Sequence, residues 1–281
     1  MSGLDPIGLQ VWNATLCAVA DEMQAALVRA AFSVTIKERR DCSTAIFDAH
    51  GQMVAQSDSI PVHLGAMPEA VAAVMARGAL PGEAWIINDP FRGGTHLPDI
   101  TIVSPIAVDG TTVAHAVTRA HHADVGGMAP GSMPAGAREL VQEGLIIPPM
   151  RLASPSGIDQ GLVDLILANS RTPDERRGDL AAQLAAHRLA QTRMDDLALR
   201  RGGVHAIAAA MDDILAYAQR RTRAAISALP DGRWTGLECL EGDGVTDDDI
   251  VIRVAVTISG DAMTVDFTGS GSTGDGFGHG T

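Results

Sequence analysis

Two apolar runs, Ile100–Ile106 and Thr112–Val117, stand on either side of an Asp109-Gly110 pair. Short runs rich in β-branched residues, split by a tight-turn dipeptide, read as an antiparallel hairpin. A hairpin brings together whatever enters its first strand and whatever leaves its second. Here both ends carry chemistry. His96-Leu97-Pro98-Asp99 leads into the first strand, and Arg119-Ala120-His121-His122-Ala123-Asp124 leaves the second. Pairing of the two strands would set His96 and Asp99 beside His121. Two imidazoles and one carboxylate suit Zn²⁺, Mn²⁺ or Fe²⁺ and leave positions open for water or substrate. Glycines flank both segments, at Gly93-Gly94 and Gly126-Gly127, and allow close approach of backbone and ligand.

Each of these residues also has a plain structural reading. Asp99 alone could cap a turn. His121 and His122 are adjacent, so on an extended segment they face opposite sides and only one easily serves a given site. Asp41, after Glu38-Arg39-Arg40, reads either as part of a solvated charge cluster or as a carboxylate that enters the site or orients a ligand imidazole. His63 has apolar neighbours and reads as a hydrogen-bonded core histidine. Glu143 reads as a loop-surface glutamate. Cys42 is a candidate nucleophile whose basic partner the sequence does not identify.

Around the hairpin the pattern changes twice. Leu9, Trp12, Leu16, Val19, Met23, Ala26 and Ala30 recur at helical spacing, with Asp5-Pro6 as the start. Residues 41–128 break into short runs, Thr44–Phe47 and Ala84–Ile87 among them, and Pro68–Arg77 predicts a helix stopped by Gly78 and Pro81. Residues 129–158 are loop-rich. Leu180 to Leu197 predicts a long helix broken at Gly202-Gly203, and Val204 to Leu229 a second, ended by Pro230-Asp231-Gly232. Ile250 to Ile258 alternates as a half-buried strand, and Met263–Phe267 follows a Ser259-Gly260-Asp261 turn. No internal repeat is visible. The order predicts an α+β fold, a mixed β-sheet region with long amphipathic helices.

Composition removes several functions. A chain of 281 residues with a net charge of −13 is a poor partner for nucleic acid or an anionic membrane. Lys37 is the single lysine, so a complete phosphate-binding P-loop is excluded. The three cysteines, widely spaced, give no disulfide framework, and the first residues carry neither the basic nor the apolar region of a secretory signal. A reducing cytoplasm is the expected location. No apolar run approaches the ~20 residues that span a bilayer. The last stretch, Gly269 to Thr281, is nearly all Gly, Ser and Thr.

On these segments the chain resembles the hydantoinase B/oxoprolinase family. That family includes B subunits of ATP-dependent hydantoinases, the C-terminal half of 5-oxoprolinase, and related subunits of acetone and acetophenone carboxylases. The matching stretches are Ile36–Asp41, Ile60–Pro68, Asn88–Asp99, Arg119–Gly127, Pro130–Pro134, Glu143–Pro149, Leu167–Pro173, Asp179-Leu180 with Gln183 and Ala186–Arg188, and Val265–Ser270. The resemblance implies metal ligands at His96, Asp99 and His121. It sets Asp41, His122 and Asp124 in or near the same site as catalytic groups. It also implies a hydantoinase A-type partner that uses ATP to phosphorylate a small cyclic amide. The present subunit would hydrolyse that intermediate with water activated at its divalent metal, as an amidohydrolase within a hetero-oligomer. A subunit of an ATP-dependent ketone carboxylase, or an inactive truncated interaction remnant, are the alternatives. Residues 1–270 are expected to be the N-terminal part of the family domain, and 271–281 a glycine-rich tail where the pattern stops, so the fold is expected to be incomplete.

Overall fold

The computed structural model describes residues 4–57, 60–242 and 248–271, with Leu64 described in its backbone alone. The glycine-rich tail from residue 272 onward lies outside the described residues.

The first helix, α1 (Pro6–Ala30), begins as its sequence predicts. Asp5 caps it, its Oδ1 accepting the Gly8 amide hydrogen at 2.6 Å, and Pro6 opens the first turn. Trp12, Leu16, Val19, Met23 and Leu27 form the buried stripe. A short α2 (Val34–Lys37) follows, then β1 (Cys42–Asp48), β2 (Met53–Gln56) and α3 (Pro61–Met75). Next come β3 (Ala84–Ile87), a 3₁₀ turn at Pro90–Arg92, β4 (Asp99–Val108) and β5 (Thr111–His121). The chain continues through α4 (Leu140–Glu143), β6 (Met150–Ser154), β7 (Gly157–Ile158) and α5 (Gln160–Ala168) to the long α6 (Pro173–Arg201) and α7 (Gly203–Ser227). It closes with β8 (Gly232–Leu240), β9 (Ile250–Ser259) and β10 (Ala262–Asp266).

Seven strands form one sheet in the order β2-β1-β5-β4-β3-β6-β7, and the last three form a second sheet ordered β10-β9-β8. The α+β expectation holds. Every pairing between the described strands is antiparallel. The predicted β4–β5 hairpin is present and runs further than its apolar core, because pairing continues to Asp99 opposite His121.

Period-two alternation sorts the large sheet's side chains between two helical layers. Cys42, Ile46, Ala114, Ala116 and Ala120 join α1, α6 and α7 in one core, and Ile86, Ile100 and Ile102 pack with α5 and α6. Ala45, Phe47, Val103 and Val117 point to the opposite face and meet Met67, Val71 and Val74 of α3. Covered on both sides, β1 is buried along its whole length. The small sheet differs. Register places Trp234, Leu240, Val256, Ile258, Met263 and Val265 on one face, and of these only Ile258 is buried.

One helix departs from the sequence reading. The segment predicted as Pro68–Arg77 begins at Pro61 and encloses Pro68. Pro61 supplies the favoured first-turn proline, and the helix forgoes the one backbone hydrogen bond that Pro68 has no N–H to make. The longer helix carries His63 in its first turn, directly over the site end of the sheet.

Candidate metal centre

The centre lies at the open end of the β4–β5 hairpin, on the α3 face. Asp99, the first residue of β4, is opposite His121, the last of β5, so alternation puts both side chains on one side. His96 comes from the loop ahead of β4. Its position depends on Asn88, whose Nδ2 donates to the Leu97 and Leu145 carbonyls at 2.8 and 2.9 Å and whose Oδ1 accepts from Ile147 N at 2.6 Å. Gly93 permits the turn before it. Its φ is +98°, and a Cβ there would sit 2.4 Å from Ala70 N on α3. Arg119, fully buried one alternation below His121, donates from Nε to Thr101 Oγ1 at 2.7 Å and from Nη2 to the Gly93 carbonyl at 2.8 Å.

Four groups surround the Asp99 carboxylate. Its Oδ2 accepts from Thr95 Oγ1 at 2.7 Å and lies 3.0 Å from His96 Nδ1 and 3.3 Å from His63 Nε2. Its Oδ1 lies 3.2 Å from His121 Nδ1. Candidate ligand atoms of His96, Asp99 and His121 all fall within 4.8 Å of one another. The His96 and His121 rings are 5.0 Å apart between centroids. Asp41, at the start of the same end of β1, brings Oδ2 to 4.0 Å from His121 Nδ1 and Oδ1 to 3.7 Å from His63 Nε2. The main chain is tied as well, with His121 N donating to the Asp41 carbonyl at 2.9 Å and Thr35 Oγ1 to the His121 carbonyl at 2.8 Å.

Electrostatics follow from this crowding. Burial pushes the Asp99 carboxyl toward its neutral form, but hydrogen bonds from His121, His63 and His96 outweigh it and hold its pKa well below the ordinary range. Burial likewise opposes charge on His96, yet the Asp99 carboxylate, with Asp41 behind it, raises its pKa above the ordinary value. Asp99 is almost fully buried, whereas the His96 side chain is 35% and that of Asp41 30% exposed. The centre therefore has a closed floor and an open mouth.

Of the six residues marked from sequence, four converge: Asp41, His96, Asp99 and His121. The other two do not join them. His122 emerges on the opposite face of the sheet, as alternation requires. Its Nε2 lies 3.0 Å from Gln183 Oε1 of α6, and Gln183 Nε2 donates to the Ile100 carbonyl at 3.0 Å and Thr118 Oγ1 at 3.1 Å. Burial, with the positive charge of Arg176, pushes the His122 imidazole down to about 4. Asp124 is a loop organiser. It accepts from the amides of Gly126, Gly131 and Arg171 and from Arg171 Nη1, at 3.1 to 3.2 Å. Cys42 is fully buried, and burial, reinforced by Asp41, pushes its thiol up to about 12, which disfavours a nucleophilic thiolate. Glu143 is buried in α4 and not on the loop surface. His63 is the addition that sequence reading passed over as a core histidine. The usable signal was Pro61 as a helix start, which would have set His63 in a first turn.

An antiparallel sheet between helical layers, with two imidazoles and a buried carboxylate at one hairpin end, defines an α+β protein with a preformed candidate cation centre. The match to known proteins is specific. Residues 5–278 match the hydantoinase B/oxoprolinase family model, and the chain belongs to that family. A 5-oxoprolinase of Dictyostelium discoideum is 31% identical over 273 residues, covering 96% of this chain and 22% of the relative. A chain of the crystal structure of ATP-dependent caprolactamase from Pseudomonas jessenii superposes with a TM-score of 0.86 at 31% identity, over 94% of this chain and 46% of the other. A chain of nucleotide-free acetone carboxylase superposes with a TM-score of 0.84 at 19% identity, over 95% and 37%, which is a likeness of fold. This chain thus spans about half or less of the length of these relatives. No helix of the described residues is long and apolar enough to cross a membrane.

Proposed function

We propose that the chain is the metal-binding B-type part of an ATP-dependent cyclic-amide hydrolase. It acts in the cytoplasm in a hetero-oligomer with a hydantoinase A-type subunit, on an intermediate that the partner phosphorylates. The observation that carries this reading is the convergence of the Nδ1 atoms of His96 and His121 on the Asp99 carboxylate. Two nitrogen donors and one oxygen donor within 4.8 Å of each other fit Zn²⁺, Mn²⁺ or Fe²⁺, with coordination positions left for substrate. A divalent cation held by these residues supplies Lewis acidity toward a carbonyl or phosphoryl oxygen.

The chain's own groups divide the remaining work. Asp99, almost fully buried and held at Oδ2 by the Thr95 hydroxyl, would offer the cation a fixed oxygen between the two imidazoles. Asp41, partly exposed at the mouth, accepts the proton released when water adds to the activated carbonyl carbon. His122 and Asp124 act at one remove. His122 anchors the end of β5 to α6, and Asp124 holds the following glycine loop. The absence of a P-loop lysine fits a subunit that leaves ATP to its partner.

The test is ATP-dependent turnover of a panel of lactams and hydantoins by this chain co-produced with its A-type partner. Hydrolysis that requires ATP, the partner and intact His96 and His121 supports the reading. Unchanged hydrolysis by a His96→Ala/His121→Ala pair, or carboxylation of a ketone in its place, would overturn it.

A further inference from the structure

His63 is buried in the first turn of α3 and reaches the centre from above, through both ring nitrogens. Its Nε2 is 3.3 Å from Asp99 Oδ2 and 3.7 Å from Asp41 Oδ1, and its Nδ1 is 3.0 Å from Ser43 Oγ. Ser43 is itself fully buried on β1, on the α3 face with Ala45 and Phe47. Two carboxylates in front of Nε2 decide the tautomer. A bare nitrogen lone pair facing two anions is repelled, whereas an N–H there is attracted by both. Nε2 therefore carries a proton, and in the neutral ring Nδ1 is then bare and accepts from the Ser43 hydroxyl.

From this arrangement, and resting on the metal-site reading above, we infer that Ser43 and His63 form a positioning pair for the centre. Ser43 fixes the ring, and His63 donates to Asp99 and faces Asp41. Asp99 lies between the two candidate ligand histidines, 3.0 Å from His96 Nδ1 and 3.2 Å from His121 Nδ1. Its Oδ2 is held by Thr95 and His63, so the carboxylate is prevented from rotating and its Oδ1 stays toward His121. The same imidazole spans the gap to Asp41, which keeps the proposed proton acceptor at the mouth. His96, Asp99 and His121 are the residues whose candidate ligand atoms share the 4.8 Å spacing, and His63 stands beside them. It is a positioning residue supplied by α3, whereas the ligands come from the sheet and its loop. Orienting partners of this kind typically change metal affinity by roughly 10- to 100-fold when removed.

The experiment is a Zn²⁺ titration of the full chain against a competing chelator, with thermal melting run in parallel. His63→Leu should retain the fold and weaken Zn²⁺ binding by roughly 10- to 100-fold. His63→Gln, whose terminal amide can donate from about the same place as Nε2, should recover most of that loss. Ser43→Ala should weaken binding with His63 still present, and covers the case in which His63→Leu does not fold. In metal-free protein, the ¹⁵N shifts of His63 should report the Nε2–H tautomer. A purely structural role would lower the melting temperature of His63→Leu and leave the affinity of folded protein unchanged, and that result overturns the inference. So do an Nδ1–H tautomer, or a glutamine variant as weak as leucine. A wild-type chain that binds no Zn²⁺ would instead remove the metal-site reading itself, and this inference with it.

Discussion

Asn88 offers a direct way to test how the His96 loop is held. Its side chain is fully buried and bonds three backbone groups that no strand ladder reaches: the carbonyls of Leu97 and Leu145 and the amide of Ile147. Asn88→Ala deletes all three bonds. Leu97 and Ile147 are buried, so their groups lose their partners in a dry place, while Leu145 is half-buried and its carbonyl regains water more easily. Taking about 1 to 1.5 kcal/mol for each of the first two and about 0.5 for the third gives a loss of about 3 kcal/mol. At about 2 to 4 °C per kcal/mol for a chain of this size, the midpoint should fall by roughly 6 to 12 °C. The assay is urea unfolding followed by far-ultraviolet circular dichroism, supported by thermal melts. Asn169→Ala is the control, since that amide makes one exposed bond to the Leu165 carbonyl and should change stability by under about 1 kcal/mol. If Asn88→Ala loses less than about 1 kcal/mol, the loop is held by something other than this clamp.

Three further outcomes follow from named contacts. Gly93→Ala combines left-handed backbone strain with a collision at Ala70 N, and should destabilise by roughly 2 to 5 kcal/mol and weaken metal binding, read by melting and metal titration. Asp124→Asn keeps an oxygen for the Gly126 and Arg171 amides but turns an NH2 toward the Gly131 amide and Arg171 Nη1, and should destabilise by about 1 to 3 kcal/mol while leaving metal affinity unchanged; a selective loss of affinity would place Asp124 in the centre. Acid should weaken the fold below pH 6.5. Burial pushes the His122 and His187 imidazoles down to about 4 and about 3, so the unfolded chain takes up their protons first as the pH falls. Each stabilises fully above pH 6.5 and loses up to about 2 kcal/mol between pH 6.5 and 5. His187→Gln should flatten that dependence in urea titrations at the two pH values; an unchanged slope would refute the assignment.

The site was readable wherever the two-residue period of a strand carried it. Asp109-Gly110 and the flanking runs fixed the hairpin, and the hairpin fixed the meeting of His96, Asp99 and His121. The same period separated His121 from His122. Local pattern failed where position depends on a neighbour in space. The short β2, β6 and β7 have too few residues for a period to show, and β8, with Gly232 and Gly236 interrupting its alternation, gave no strand signal either. The role of Asp124 depends on Arg171, which is remote in sequence and lies beyond α5. Pro68 looked like a helix start and masked the true start at Pro61, and with it His63. A proline deep in a helix is tolerated here because α3 lies packed on the sheet through Met67, Val71 and Val74, and that packing is invisible to propensity.

Whether His96, Asp99 and His121 hold a divalent cation is decided by elemental analysis of the purified chain, wild type beside a His96→Ala/His121→Ala variant matched for folding by circular dichroism. The wild type should carry about one equivalent of Zn, Mn or Fe and the variant next to none. Equal metal in the two proteins, or none in the wild type after growth and titration with each of these ions, would contradict cation binding by these residues.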